Sequence, residues 1–308
     1  MDSITTTNNH LSVSQLAELQ ERFIAYCDTR PQTIATYQAS LRHMFGYFRD
    51  NNICNPTTAD ILRYKSFLLE HFAPATVSLR LTSCRLFFAW LSREGIYPNI
   101  ADNVKGAKAS KGFKKDYLTS NQVQDVLGNI PRESEQGKRD FAILALMITC
   151  GLRCIEVQRA NIEDMRTAGN GTALFIQGKG EDDKGEYVKL PASVERAIRQ
   201  YLVLRGKTKA TAPLFASCSN RNNGRLTTRS ISRLAKDRMV TAGYDSSRLT
   251  AHSLRHTTAT LNLLNGGTEA ETQQLLRHKN INTTMIYSHA LERAKNNSEA
   301  RIAGAIGL

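Results

Sequence analysis

Along residues 13–95 the apolar side chains recur every three or four positions, and almost no stretch of this part alternates as a strand would. That spacing puts the apolar residues on one face of each of several consecutive α-helices. Pro31 and Pro74 mark two helix starts, because proline is favoured in the first turn. Thr57 or Thr58 supplies a cap for another helix. The pattern therefore predicts four amphipathic helices in the N-terminal part.

After residue 116 the pattern stays mainly helical but includes one pair of strands. Segments 172–177 and 186–191 flank a Gly-rich acidic loop and predict a β-hairpin. Helices are predicted over 118–127, 139–149, 193–204, 228–242, 251–264 and 269–276, with shorter ones around Tyr287 and across 291–305. We therefore predict a mainly α fold, in which a mixed α/β, mostly helical domain with a small antiparallel sheet follows an all-helical one.

A lysine-rich stretch separates the two parts. From residue 103 to residue 115 the chain has no acid and five lysines, namely Lys105, Lys108, Lys111, Lys114 and Lys115. Such a tract is either a flexible connector or a segment that follows a phosphate backbone, and the sequence leaves both open. The 308 residues suffice for two domains. We predict an N-terminal helical domain over 1–102, a basic linker over 103–115 and a second domain over 116–308.

The chain is strongly basic, with 41 Lys and Arg against 28 Asp and Glu and a formal net charge of +13. Residues 1–115 hold 14 of the basic and 9 of the acidic side chains, so both parts of the chain are basic. This favours a polyanionic partner, although a merely soluble basic protein would have the same charge. Five cations among the apolar positions of the first part form either a DNA-binding face or a solvated one: Arg42, Arg63, Lys65, Arg80 and Arg85.

Membrane and secreted classes do not fit this sequence. It has no run of 18 apolar residues that would span a membrane, and residues 1–10 lack the pattern of a signal peptide. The six cysteines include no Cys-x-x-Cys pair, which is typical of reduced thiols in an intracellular protein. We therefore expect a cytoplasmic protein without a membrane partner.

Two arginines, two histidines and a tyrosine occur in order in the second part, namely Arg153, His252, Arg255, His278 and Tyr287. The planar fork of an arginine can hold non-bridging phosphate oxygens as negative charge builds up. Tyrosine can act as a covalent nucleophile, and histidine can move a proton near neutral pH. The set therefore suits the attack of a phenol on a phosphodiester.

Each member of this set also has an ordinary interpretation. Arg153 and Glu156 alone would be a surface ion pair of little worth, and Tyr287 alone would be a core residue. Zinc is a further alternative, because four histidines occur in this part: His252, His256, His278 and His289. However, no Cys, Asp or Glu lies nearby at ligand spacing, and two arginines would repel a cation. We therefore predict no metal.

In order and local context, this set resembles the tyrosine recombinase family, the phage-integrase and Xer-type site-specific DNA recombinases. The motifs that carry the resemblance are Arg153-x-x-Glu156, His252-x-x-Arg255, His278 in Leu-Leu-Arg-His, and Tyr287 nine residues later. The resemblance covers nearly the whole chain, since the first hundred residues are similar to the family's core-binding domain. It implies a core-binding domain and a catalytic domain that form a C-shaped DNA clamp. One departure is Arg277, because the family commonly has glycine there, and this affects the local backbone turn.

The resemblance assigns a role to each member of the set. Arg153 and Arg255 clamp the scissile phosphate. His252 accepts or returns the tyrosine proton, and His278 donates a hydrogen bond to the phosphate. Tyr287 is the nucleophile.

Supporting roles follow from the same resemblance. Glu156 holds Arg153 or a neighbouring histidine in position, whereas His256 falls on another helix face and is predicted to be structural. The family's general acid for the leaving 5′ oxygen is a hairpin lysine, commonly in Gly-Lys-Gly, and Lys179 matches it. The acidic insertion 181–183 lengthens this loop and leaves Lys184 as an alternative.

The implied reaction is metal- and ATP-independent, needs no cofactor and passes through a 3′-phosphotyrosyl enzyme. The implied partner is double-stranded DNA with an inverted-repeat core site, on which a homotetramer assembles from copies that can be monomers in solution. A C-terminal apolar helix would dock in cis or in trans. Integration, excision, inversion or dimer resolution, by a bacterial-type enzyme associated with the nucleoid, all fit this resemblance.

Two other classes stay open. One is a non-catalytic DNA-binding protein on the same fold, and the other is a strand-relaxing enzyme of the type IB topoisomerase sort. The chain begins almost directly at the core-binding helices, so we expect a simple Xer-type recombinase rather than an integrase with an additional arm-site-binding domain.

Overall fold

The computed structural model describes residues 11–108, 116–178, 180–218 and 224–306, which belong to two compact units, one on each side of residues 109–115. The described residues of the first unit form four helices: α1 (Val13–Tyr26), α2 (Pro31–Asp50), α3 (Thr58–His71) and α4 (Pro74–Arg93). Pro31 and Pro74 occupy first-turn positions of their helices, as predicted. The apolar faces of these helices share one buried core, in which the Phe23 ring lies 5.5 Å from that of Phe87 and 5.8 Å from that of Trp90.

The segment after α4 packs onto the same unit. Val104 is buried in its core, and the Ser78 hydroxyl donates to the Ala107 carbonyl at 3.2 Å. Lys105 and Lys108 are exposed. The other lysines of the predicted linker, Lys111, Lys114 and Lys115, lie outside the described residues.

The second unit is mostly helical and contains one small sheet. Its helices are α5 (Ser120–Gly128), α6 (Glu135–Cys150), α7 (Cys154–Arg159), α8 (Ala192–Arg205), α9 (Thr228–Thr241), α10 (Ala251–Leu264), α11 (Glu269–Leu276), α12 (Asn282–Lys295) and α13 (Ser298–Ala305). A 3₁₀ turn spans Ile162–Asp164. Helix α6 lies at the centre, since every residue from 142 to 148 is buried, and it packs against α8 and α10.

The sheet has three antiparallel strands in sequence order: β1 (Met165–Ala168), β2 (Gly171–Ile176) and β3 (Glu186–Lys189). Leu174 of β2 faces Met165 on one side and Val188 on the other. The predicted hairpin corresponds to β2 and β3. Strand β1 was not predicted, because it has four residues and no run of apolar side chains. The mainly α fold class with a small antiparallel sheet is confirmed.

Two helix boundaries differ from the prediction. Helix α6 begins at Glu135 rather than at residue 139, because the Ser134 hydroxyl accepts from the Gly137 amide at 3.0 Å and caps it. Helix α12 runs unbroken through Tyr287 to Lys295, where shorter helices were predicted. The helix ends before Asn296, whose side-chain oxygen accepts from the Ser298 amide at 2.9 Å. Within the described residues no helix is both long and apolar enough to cross a bilayer.

Candidate active site

A glycine turn at the end of α6 creates one wall of the site. Gly151 has φ +62, and a Cβ on it would lie 2.6 Å from Cδ2 of Leu276. Only glycine combines this left-handed backbone with so close an approach. The turn exposes the Gly151 carbonyl and places Arg153 directly before α7, as its N-cap residue.

Glu156, one turn into α7, holds Arg153. Its carboxylate accepts from the Arg153 backbone amide at 2.8 Å and from the Arg153 guanidinium at 2.7 Å. Glu156 is fully buried, whereas the Arg153 side chain remains 28% exposed. Burial alone would raise the pKa of Glu156, but Arg277 and Arg153 overcome this and hold that pKa below its ordinary value. The predicted pairing of Glu156 with Arg153 is therefore present as an ion pair whose carboxylate is buried.

Arg255, in the first turns of α10, is 1% exposed and is the largest fully buried side chain of the described residues. Its guanidinium donates to the Gly151 carbonyl at 2.5 Å and also to the Leu276 carbonyl. Burial and the cations Arg153 and Arg277 lower the pKa of Arg255 to about 9, so it remains a cation at neutral pH. The two predicted clamp arginines therefore lie within electrostatic reach of each other.

Arg277, which stands where the family commonly has glycine, is part of this cluster. It follows α11 in the left-handed conformation, with φ 54, so the backbone keeps the turn that glycine would make. That conformation costs a non-glycine residue about 1–2 kcal/mol. The side chain is 6% exposed and donates to Oε2 of Glu156 at 2.9 Å. Its substitution for glycine was visible in the sequence, but its contact with Glu156 was not.

His278 lies directly beside these cations. Burial, followed by the charges of Arg255, Arg153 and Arg277, lowers the pKa of His278 to about 4. Its Nδ1 lies 2.9 Å from the hydroxyl of Thr284, which is fully buried. With the hydroxyl as donor, the ring proton is on Nε2, the tautomer that can donate to a phosphate. Thr284 was not predicted, since a threonine six residues after a histidine has no distinctive pattern.

Tyr287 is in α12 and is 4% exposed, packed against Ala259 and Leu276. Burial raises the pKa of its phenol, and the charges of Arg255 and Arg153 oppose that rise. The His256 ring lies 5.3 Å from the Tyr287 ring and 4.7 Å from the ring of His252, which is exposed. His256, predicted to be structural, is therefore between the predicted base and the predicted nucleophile.

Two lysines of the hairpin, Lys179 and Lys184, are the predicted candidates for the general acid. Lys179 lies outside the described residues. The ammonium of Lys184 pairs at 2.5 Å with Asp164, whose side chain is 2% exposed. Because Asp164 is buried and negative, this ion pair holds the Lys184 side chain in place.

The cations predicted to bind DNA in the first unit are spread over three helices. Arg42 on α2 and Arg63 on α3 are exposed, and Arg63 pairs with Asp60 at 2.5 Å. Lys65 on α3 is half-buried. Two more are half-buried on α4: Arg80 stacks on the Phe72 ring at 4.0 Å, and Arg85 donates to the Thr82 hydroxyl at 3.0 Å.

The second unit therefore brings together five of the predicted catalytic residues, Arg153, His252, Arg255, His278 and Tyr287, and adds Arg277 to them. Three cations and one carboxylate give this cluster a net positive charge beside a buried phenol. Such a cluster can bind a phosphodiester and stabilise negative charge on it. In the described part of the chain, no three His, Cys, Asp or Glu side chains lie close enough together to hold a metal ion.

Both units match profiles of the same protein family. The profile of the phage integrase family matches residues 116–293, and that of the phage integrase N-terminal SAM-like domain matches residues 16–95. Tyrosine recombinase XerC of Pelobacter propionicus is 31% identical over 84% of this chain and 85% of its own length. XerC of Myxococcus xanthus is 31% identical over 90% and 94%, and XerD of Rhizobium meliloti is 27% identical over 92% of each chain.

Solved structures show the same fold. XerH bound to palindromic difH substrate in a post-cleavage complex has a TM-score of 0.71 and 21% identity, over 96% of this chain and 84% of that one. A lambda integrase dimer bound to a COC′ core site has a TM-score of 0.69 and 15% identity, over 88% and 96%.

Proposed function

Since the chain belongs to the phage integrase family of tyrosine recombinases, the site-specific recombinases of DNA, we propose that it cuts and rejoins DNA through a 3′-phosphotyrosyl intermediate on Tyr287. One observation carries this proposal. The Tyr287 phenol is buried within the electrostatic reach of Arg153 and Arg255. A core tyrosine has no need of two nearby cations, whereas a nucleophile that attacks a phosphate does.

The proposed chemistry begins with the attack of the Tyr287 oxygen on the scissile phosphorus. His252 accepts the phenolic proton, the bond from phosphorus to the tyrosine oxygen forms, and the bond to the 5′ oxygen breaks. Arg153 and Arg255 hold the non-bridging oxygens as their charge grows. His278 donates from Nε2, because Thr284 occupies Nδ1.

The leaving 5′ oxygen needs a proton, which we assign to Lys179. The ion pair with Asp164 makes its rival Lys184 a poor donor. Attack by a 5′ hydroxyl of another strand reverses the step and expels Tyr287, so the energy of the broken bond is kept in the covalent enzyme. The reaction as proposed uses no ATP and no metal.

The proposed substrate is a duplex with an inverted-repeat core site, on which four copies assemble in the cytoplasm, at the nucleoid. Relatives of the same fold support this. XerH was crystallised with its difH substrate, and lambda integrase was crystallised as a tetramer on a Holliday junction. In the first unit, Arg42 and Lys105 are exposed cations available to the phosphate backbone.

Covalent trapping tests the proposal. Purified protein is mixed with DNA that flanks its gene, nicked near candidate inverted repeats, in the presence of EDTA. We expect a protein–DNA adduct that survives denaturing electrophoresis, disappears with Tyr287→Phe and persists with Tyr187→Phe, which changes an exposed tyrosine on β3. Binding without an adduct would favour a non-catalytic DNA-binding protein. Relaxation of plasmids that lack any core site would favour a type IB topoisomerase.

A further inference from the structure

Arg277 has a strained backbone conformation, and the contacts of its side chain must compensate for that strain. Among the described residues other than glycine, a positive φ occurs only at Asn52, Asn103 and Arg277. Asparagine tolerates the left-handed region, whereas arginine gains nothing from it. Glycine at this position would make the same turn without strain. The arginine therefore contributes something that outweighs the strain of its own backbone.

The side chain of Arg277 ties together the two segments that carry the catalytic groups. Its guanidinium donates to the Leu275 carbonyl at 2.7 Å on its own segment. It also reaches the Gly151 carbonyl at 3.3 Å and the Glu156 carboxylate at 2.9 Å, both on the segment of Arg153. Because His278 follows Arg277 directly, one guanidinium fixes the segment of the first clamp arginine against that of the phosphate-binding histidine.

Arg277 also changes the net charge of the arginine cluster. With Arg153, Arg255 and Glu156 alone, the net charge would be +1, because the buried carboxylate offsets one arginine. With Arg277 it is +2. A phosphodiester bears one negative charge, and the attack of a phenolate would make the five-coordinate phosphorus group dianionic. The third cation therefore matches the charge that appears only in the transition state.

We propose that Arg277 is a positioning residue of the recombination site, which holds Glu156 so that Arg153 presents its charge to the phosphate. This inference rests on the proposed function of Tyr287 and extends it. Arg277 does not touch the DNA in this scheme. It acts through Glu156 and through its charge on His278, and removing it leaves Arg153 facing a carboxylate that has no second partner.

The test compares Arg277→Gly with wild type in single-turnover cleavage of the nicked substrate. We expect DNA affinity to change less than about twofold and cleavage to slow about 10–100-fold, as happens when an outer partner of a reactive group is lost. Millimolar guanidinium chloride should restore part of the rate by entering the vacated space. If Glu156 carries the effect, Arg277→Gly combined with Glu156→Gln should be no slower than Glu156→Gln alone.

A merely structural tie would give a different result. It would lower DNA affinity and cleavage together, without guanidinium rescue, and that outcome would overturn the proposal, as would wild-type cleavage by Arg277→Gly. Should Arg277→Gly fail to fold, Arg277→Asn keeps a residue that tolerates this backbone and serves in its place.

A nitrogen-15 NMR titration separates this inference from the proposed function. Loss of the Arg277 charge should raise the pKa of His278, and this can be measured without DNA. If wild type forms no adduct, the phosphotyrosyl proposal fails while the titration still tests the placement of Arg277. An unchanged His278 titration, or an unchanged cleavage rate where wild type forms the adduct, would refute the inference alone.

Discussion

His278 shows how the surroundings of one residue determine its chemistry. An exposed histidine is partly protonated near neutral pH. As a cation it would compete with the neighbouring arginines for the same negative charge. Burial and three neighbouring guanidinium groups lower the pKa of His278 to about 4, and with the Thr284 hydroxyl as donor to Nδ1 the remaining ring proton is on Nε2. The sequence identified the histidine through its motif, but its protonation state depends on contacts between α11, α12 and the Gly151 turn.

We predict that His278 of the DNA-free protein stays neutral from pH 8 to pH 5, as followed by nitrogen-15 NMR of its ring. Its pKa of about 4 lies below the ordinary 6.5, so the unfolded chain binds this proton first. The contribution of His278 to stability is therefore present above about pH 6.5 and is lost as the pH falls toward 4. Thr284→Val should change the ring tautomer. A midpoint near 6.5 in wild type would contradict this account.

The two clamp arginines should differ in what their loss does to the fold. Arg153→Ala leaves Glu156 paired with Arg277, so we expect near-normal thermal stability and a loss of cleavage of about 10²–10³-fold.

Arg255→Ala should impair both properties. It leaves the buried Leu276 carbonyl without this donor, at a cost of about 1–3 kcal/mol, whereas the Gly151 carbonyl keeps Arg277 as a side-chain donor. Urea unfolding beside single-turnover cleavage measures the difference between the two variants. Near-normal cleavage by Arg255→Ala would refute its assignment.

At the scale of elements, the sequence predicted what periodicity and motif order determine. The four N-terminal helices and the β2–β3 hairpin follow from apolar spacing, proline and turn residues, and these are local properties. Strand β1 is held by its pairing with β2, and the extent of α12 by Asn296, and neither has a periodic signal. Likewise the motifs identified Arg153 and Arg255, whereas the Arg277–Glu156 pair joins residues 121 positions apart and appears only in the folded chain.

The β2–β3 hairpin should supply the general acid through Lys179 and not through Lys184. We predict that Lys179→Ala cleaves a normal phosphodiester slowly but cleaves a substrate with sulfur in place of the leaving 5′ oxygen at a rate close to that of wild type. A thiolate leaves without a proton, so it bypasses the missing acid.

Lys184→Ala is the matched control in the same loop. It should cleave both substrates alike and lose stability, because it leaves Asp164 buried without this partner. If sulfur rescues Lys184→Ala and not Lys179→Ala, the two lysines have the opposite roles.

At the scale of the whole molecule, both units carry an excess of positive charge, and this charge favours binding to DNA. Phosphate contacts release counterions, so each one adds about 0.9 to the slope of log affinity against log salt. We predict that Arg42→Ala lowers this slope by about one and weakens binding to specific and random duplexes alike, as measured by fluorescence anisotropy at several salt concentrations.

Arg49→Ala is the matched control, since Arg49 lies on the same helix α2 but already pairs with Asp50 at 3.3 Å. Its slope should equal that of wild type. If both variants lower the slope equally, the effect reflects the net charge of the first unit and not a DNA-binding face at Arg42. If neither variant lowers the slope, the cations of the first unit form a solvated surface. DNA binding then depends on the second unit with its arginine cluster.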